Sequence, residues 1–182
     1  MSDGGYEIQA GSDRRGRPSR LVTIGVITVA IVLAVVALRW IMFAAYQIPS
    51  ASMAPALEIG DRILVNQLDT GPNRGDIVVY VNEGDDAGPG QELVGRVIAV
   101  GGESIAAVDG QVTINDNRLV EPYLEPGTIT SDFGPLVVPS GQLFIMGDNR
   151  EAAFDSRGRG PIPEENLVGT VVARSCCPPG LI

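Results

Sequence analysis

The chain has 182 residues and a net charge of −9, from 22 Asp and Glu against 13 basic residues, all arginine, with no lysine or histidine. The length suits one domain plus an appendage. Over residues 47–182 the balance is 19 acidic residues to 8 arginines, which argues against nucleic acid as a partner.

Residues 1–20 (MSDGGYEIQAGSDRRGRPSR) have little to bury and are expected to form a disordered tail. Leu21 to Leu38, LVTIGVITVAIVLAVVAL, is eighteen residues without a charge. As a helix it extends about 27 Å, close to the roughly 30 Å of a hydrocarbon core. Arg39 then snorkels, and Trp40 and Tyr46 suit an interfacial belt. Arg14, Arg15, Arg17 and Arg20 precede the run, with only Arg39 and Arg62 soon after it, which puts the N-terminus in the cytoplasm and 47–182 outside. The run is longer than the core of a cleaved signal peptide, so 21–46 reads as an uncleaved signal-anchor and interface segment in a lipid bilayer.

Beyond Asp61 the chain turns to short β-branched runs broken by Gly, Pro, Asn and Asp. Strands are predicted over Arg62–Asn66, Asp76–Val81, Leu93–Val100, Ser104–Val108, Gln111–Ile114, Gln142–Met146 and Leu167–Arg174. Asp109-Gly110 and Asn115-Asp116-Asn117 signal hairpin turns. Residues 82–90 and 127–135 read as loops. Cys176 and Cys177 are adjacent, about 3.8 Å apart at Cα, which is below the roughly 4.4 Å minimum for a disulfide. With no histidine to join them, no metal site is expected, and no cofactor.

Between the apolar run and the first strand lies QIPSASMAPALEIGD. Pro49 and Pro55 stiffen this turn around Ser52, which follows Tyr46 by six residues, at most about 20 Å of extended chain. Taken alone, Ser50 and Ser52 read as turn or capping hydroxyls. A nucleophilic serine needs a base to take its proton, and this chain has no lysine or histidine to offer.

Three segments in chain order change that reading: IPSASMAPALEIGDRILVN, LVGRVIAVGGESI, and VPSGQLFIMGDNREAAFDSRGRGPIP continuing to LVGTVV. Together, behind an N-terminal apolar run, they resemble the boxes of the bacterial type I signal peptidases, serine peptidase family S26. The resemblance implies a mainly β fold, with an all-β domain docked on the outer face of the bacterial plasma membrane and one N-terminal transmembrane helix. It implies signal-peptide-bearing precursors as partners, cut after small residues at the first and third positions before the scissile bond. Carried over by position, Ser52 is the nucleophile, and Ser50 with the Ser52 N–H forms the oxyanion hole. Ile48, Pro49, Met53, Leu57 and Val94 line the pocket for the small residue. Arg96, Asp148, Arg150, Asp155 and Arg157 match residues that brace the site through ion pairs, and Gly147 lets backbone pass close to it.

The resemblance fails at the general base and at the residue that orients it. The family's general base is a lysine just before the arginine of the second box, and here that position is Gly95. Arg96 cannot replace it, because a guanidinium keeps its proton. The serine that orients that lysine corresponds to Ala153, preceded by Ala152 where the family usually has Asn. A missing base costs roughly 10²–10⁴ in rate, and about 10⁶ when it acts as part of a unit. Three readings stand. One is a membrane-bound serine endopeptidase that removes signal peptides with a replacement base, for which Asp148 or Asp155 is a poor match near pH 7. Another is a family member that binds signal peptides or surface-protein precursors as an assembly or regulatory factor without cutting. The third is a variant of an active enzyme with its lysine removed.

Overall fold

The computed structural model describes residues 20–69, 71–83 and 90–175. The expected tail up to residue 19, and Cys176 and Cys177, lie outside the described residues. The chain divides into two units, 1–38 and 39–182.

In the first unit the apolar run forms helix α1, Arg20–Met42, 23 residues that continue into the second unit. Large side chains such as Leu21, Ile24, Val29 and Leu33 are exposed along it. Among the described residues, no helix is long and apolar enough to cross a membrane.

The second unit is built from two antiparallel sheets. The larger contains β1 (Phe43–Gln47), β2 (Arg62–Asn66), β3 (Ile77–Asn82), β4 (Gln91–Val100), β9 (Gln142–Met146), β10 (Ile162–Pro163) and β11 (Leu167–Ser175), in the spatial order β1-β2-β11-β3-β4-β9-β10. The smaller has β5 (Ser104–Val108), β6 (Gln111–Ile114), β7 (Asn117–Arg118) and β8 (Phe133–Val137), in the order β7-β6-β5-β8. Alternation along the central strands fills the space on both faces of the large sheet. Val79 packs with Ile48, Met53, Leu57, Ile63 and Val65 on one side. Val78, Tyr80, Val97, Leu143 and Ile145 pack on the other. A bulge in β4 puts Val97 opposite Ile145 and Ala99 opposite Phe144. The extra residue lets Ile98 and Ala99 both join Phe144 and Met146 against the small sheet's Ile105, Ala107, Val112 and Ile114.

Both hairpin signals act as read. Asp109 and Gly110 have φ of 52° and 79°, and Asn115 and Asp116 have 50° and 63°, the paired positive values of a type I′ turn. At the end of the expected anchor and interface segment, Phe43–Gln47 is strand β1, whose backbone is satisfied by β2 from Phe43↔Asn66 to Gln47↔Arg62. One expectation is corrected. The loop over 127–135 ends early, because Phe133 starts β8 and stacks on Phe144 with ring centroids 5.4 Å apart.

Candidate active site

The 3₁₀ turn Ala51–Met53 carries Ser52 half-buried at the mouth of a cavity of about 500 Å³. Its backbone is fastened from the segment Gly147–Arg150. The Asn149 N–H donates to the Ser52 carbonyl at 3.0 Å, and Asn149 Nδ2 donates to the Ala51 carbonyl at 3.2 Å. Gly147 is required for that approach: a Cβ there would stand 2.6 Å from the Ser52 carbonyl oxygen and 2.3 Å from Ala153 Cβ. Ser50 Oγ lies 3.1 Å from Ser52 Oγ, within hydrogen-bond reach.

The predicted small-residue pocket is brought together. Ile48, Met53 and Leu57 share a buried cluster to which Val94 adds from β4. Ile48, Pro49, Met53 and Val94 line the cavity, and Leu57 packs behind that wall. The cavity also runs along a strand edge. β4 pairs with β3 from Gln91 to Arg96, but with β9 only from Arg96 onward, so Gln91–Gly95 has no strand on its second side among the described residues.

Gly95 faces away from Val94. It pairs with Val78, whereas Val94 pairs with Val79, so their side-chain positions lie on opposite faces of the sheet. A Cβ on Gly95 would meet Ile145 Cγ2 at 2.4 Å and Tyr80 Cε1 at 3.6 Å. Ile145 is fully buried. A side chain at Gly95 would therefore require Ile145 to shift.

Arg96, Arg150 and Arg157 each form an ion pair, with Asp148, Glu121 and Asp155 respectively. Arg96 Nε and Nη2 donate to the two Asp148 oxygens at 2.8 and 2.5 Å, Nη1 reaches the Gly75 carbonyl at 2.7 Å, and the guanidinium lies 4.0 Å from the Tyr123 ring centroid. Arg150 donates to the Gly147 carbonyl at 3.1 Å and Thr130 Oγ1 at 2.7 Å and pairs with Glu121. Asp155 accepts from the Gly147 N–H at 2.9 Å and takes Arg157 Nε and Nη2, both at 2.9 Å. Charge-assisted bonds of this kind hold backbone in one geometry. Burial first, and then the Glu121 carboxylate that its hydroxyl bonds, pushes Tyr123 well above the usual tyrosine range, so it remains a neutral donor.

Several cavity residues were not singled out from sequence. Tyr80 and Met146 signalled only core. Phe154 and Arg159 lie on the wall because the four-residue helix α2 (Ser156–Arg159), N-capped by Asp155, turns Arg159 back over the Phe154 ring at 4.8 Å. The available signal was the cap itself, Asp155 just before Ser-Arg-Gly-Arg.

Residues 21–176 match the family model described as "Signal peptidase, peptidase S26". The chain is 37% identical over 165 residues to signal peptidase I U of Bacillus subtilis (strain 168), covering 83% of this chain and 86% of that one. It is 33% identical over 158 residues to signal peptidase I of Leptolyngbya laminosa, covering 83% and 77%. A crystal structure of a signal peptidase I from Enterococcus faecalis V583 aligns at 28% identity and a TM-score of 0.48, over 56% of this chain and 97% of that one. The chain belongs to the signal peptidase family S26, whose signal peptidase I members act on signal-peptide-bearing precursors.

Proposed function

We propose that this protein is a membrane-anchored member of the signal peptidase I family that holds signal-peptide segments in the Ser52 cleft without cutting them efficiently. The packing at Gly95 carries this reading. An amine there would need a Cβ where Ile145 Cγ2 stands 2.4 Å away, and Ala153 has no hydroxyl to orient it. The loss is thus built into the core around the position. That also counts against a single engineered removal of the lysine.

The cleft itself suits a peptide. Ile48, Met53 and Val94 offer an apolar pocket. The edge Gln91–Gly95 offers backbone donors and acceptors to an extended segment, the strand-addition mode of recognition. The uncharged sequence run Leu21–Leu38, with arginines concentrated before it, supports a single-pass anchor with a cytoplasmic N-terminus and residues 47–182 outside. The peptidase reading draws on one observation, the 3.1 Å Ser50–Ser52 hydroxyl contact, which supports a hydroxyl donor beside Ser52 for an oxyanion. Such a site with binding alone gives roughly 10³–10⁴ over water, too little for routine processing.

The test is the full chain in detergent with a precursor carrying an Ala-x-Ala site, beside Ser52→Ala. Binding by both proteins with no cleavage is expected. Cleavage that disappears in Ser52→Ala would overturn the reading in favour of a peptidase.

A further inference from the structure

The Ser52 cavity is walled from both faces of β4. Ile48, Met53 and Val94 line it from one buried cluster. Tyr80 and Leu93, a cross-strand pair one residue out of step with Val94↔Val79, line it from the cluster on the opposite face. Phe154 belongs to that second wall, because it also borders a neighbouring cavity with Ile162, a member of the Tyr80 cluster. Its ring is 58% exposed yet fixed, resting on Gly158, where a Cβ would meet Phe154 Cε2 at 2.4 Å. Gly95 and Ala153 also line the cavity, one without a side chain and the other with only a methyl. A cavity of about 500 Å³ is of the size that holds a drug-sized ligand, far more than the methyl of one small residue fills. An extended segment added along Gln91–Gly95 alternates its side chains between the two faces. With its two small residues on the Val94 face, the residue between them faces Tyr80 and Phe154.

We propose that this second wall is a side-chain pocket that selects an aromatic residue between the two small ones of a bound segment, with Phe154 as its specificity-determining contact. This rests on the reading above, that the cleft holds signal-peptide segments. A ring already fixed on Gly158 has little freedom left to lose on binding, so most of the area it buries counts toward affinity. A second ring against it adds an offset or edge-to-face contact, at centroid separations of roughly 4.5–7 Å.

The measurement is fluorescence anisotropy of the full chain in detergent with three labelled peptides that continue past the last alanine of Ala-Phe-Ala, Ala-Ser-Ala or Phe-Ser-Ala. Ala-Phe-Ala is expected to bind about tenfold or more tightly than Ala-Ser-Ala, the scale of burying a phenylalanine side chain. Phe-Ser-Ala, whose ring is turned to the Val94 face, is expected to improve on Ala-Ser-Ala by less than about threefold. Phe154→Ala is expected to bring Ala-Phe-Ala to within about threefold of Ala-Ser-Ala, and Phe154→Leu to keep part of the difference. The wild-type comparison needs no variant, and a thermal midpoint checks that both variants fold. Equal binding of Ala-Phe-Ala and Ala-Ser-Ala overturns the pocket while the peptide-binding reading stands. An equal improvement from Phe-Ser-Ala also overturns it, since the preference would then ignore which face the ring meets. A preference that survives in folded Phe154→Ala overturns the assignment to Phe154. No binding of any of the three removes the peptide-binding reading and the pocket with it.

Discussion

Replacing Gly95 with alanine tests how tightly that position is packed. The new Cβ would stand 2.4 Å from Ile145 Cγ2, where carbon contacts settle at about 3.5–4.0 Å. About 1.1–1.6 Å must come from somewhere. Ile145 is fully buried among Val78, Tyr80, Val97 and Leu143, so it either leaves its rotamer or separates β4 from β9. Overpacking of this sort costs about 1–3 kcal/mol, with a rotamer term of about 0.5–1.5 kcal/mol. Alanine recovers about 0.4–1 kcal/mol by restricting the unfolded chain. The net loss is about 2 kcal/mol, a fall of roughly 4–8 °C in the thermal midpoint for a chain of this size. Ile145→Met removes the Cγ2 branch at similar volume, so Gly95→Ala in that background is expected to be nearly neutral. The readout is thermal unfolding of the four proteins of this cycle. Gly95→Ala within about 0.5 kcal/mol of wild type would refute the claim that the position is filled. The catalytic counterpart follows: Gly95→Lys with Ala153→Ser is expected to stay inactive on an Ala-x-Ala precursor until Ile145→Met is added. Efficient cleavage by the first two changes alone would contradict the packing argument.

Asp148→Asn leaves Arg96 buried without its carboxylate, the two side chains being 0% and 10% exposed. It is expected to cost about 3–5 kcal/mol in urea unfolding; a loss below about 1 kcal/mol would mean the pair is ornamental. Tyr123 gives an alkaline signature. An unfolded tyrosine ionises near pH 10, whereas burial and then Glu121 hold the folded hydroxyl protonated beyond that. Its contribution is present in full below about pH 10 and is lost as pH rises further. Tyr123→Phe is therefore expected to fall less steeply than wild type between pH 9 and 11, and parallel curves would remove the assignment.

Strand positions were readable wherever one face of a strand alternated, as in Arg62–Asn66, or where a turn demanded positive φ, as at Asp109-Gly110. β1 was not, because FAAYQ continues an apolar run and its strand character comes only from pairing with β2. Within the site, the motifs pointed to Ser52, Ser50, the pocket residues and three arginines; Ser50, Ser52, Ile48, Pro49, Met53 and Val94 line one cavity, whereas Leu57 packs behind it and Arg96, Arg150 and Arg157 lie off its lining. Ile145 and Arg159 stayed hidden for different reasons. Ile145 reads as ordinary core, and its significance depends on which face Gly95 presents across the β4–β9 register. Arg159 reaches the wall through a four-residue helix too short to show a period.

The outer strands have an uneven character. β7 is two residues long, β10 is Ile162–Pro163, and β8 contains Pro135, so these edges resist pairing with another chain. β1, without proline or charge, and the stretch Gln91–Gly95 of β4, which has no second strand partner among the described residues, do not. One leads into Ile48 and Pro49, and the other lines the same cavity. Stickiness is therefore concentrated where a peptide would be received. Self-association on storage is therefore expected to start from these edges, and a peptide bound in the cleft is expected to keep the protein dispersed at concentrations where it otherwise precipitates.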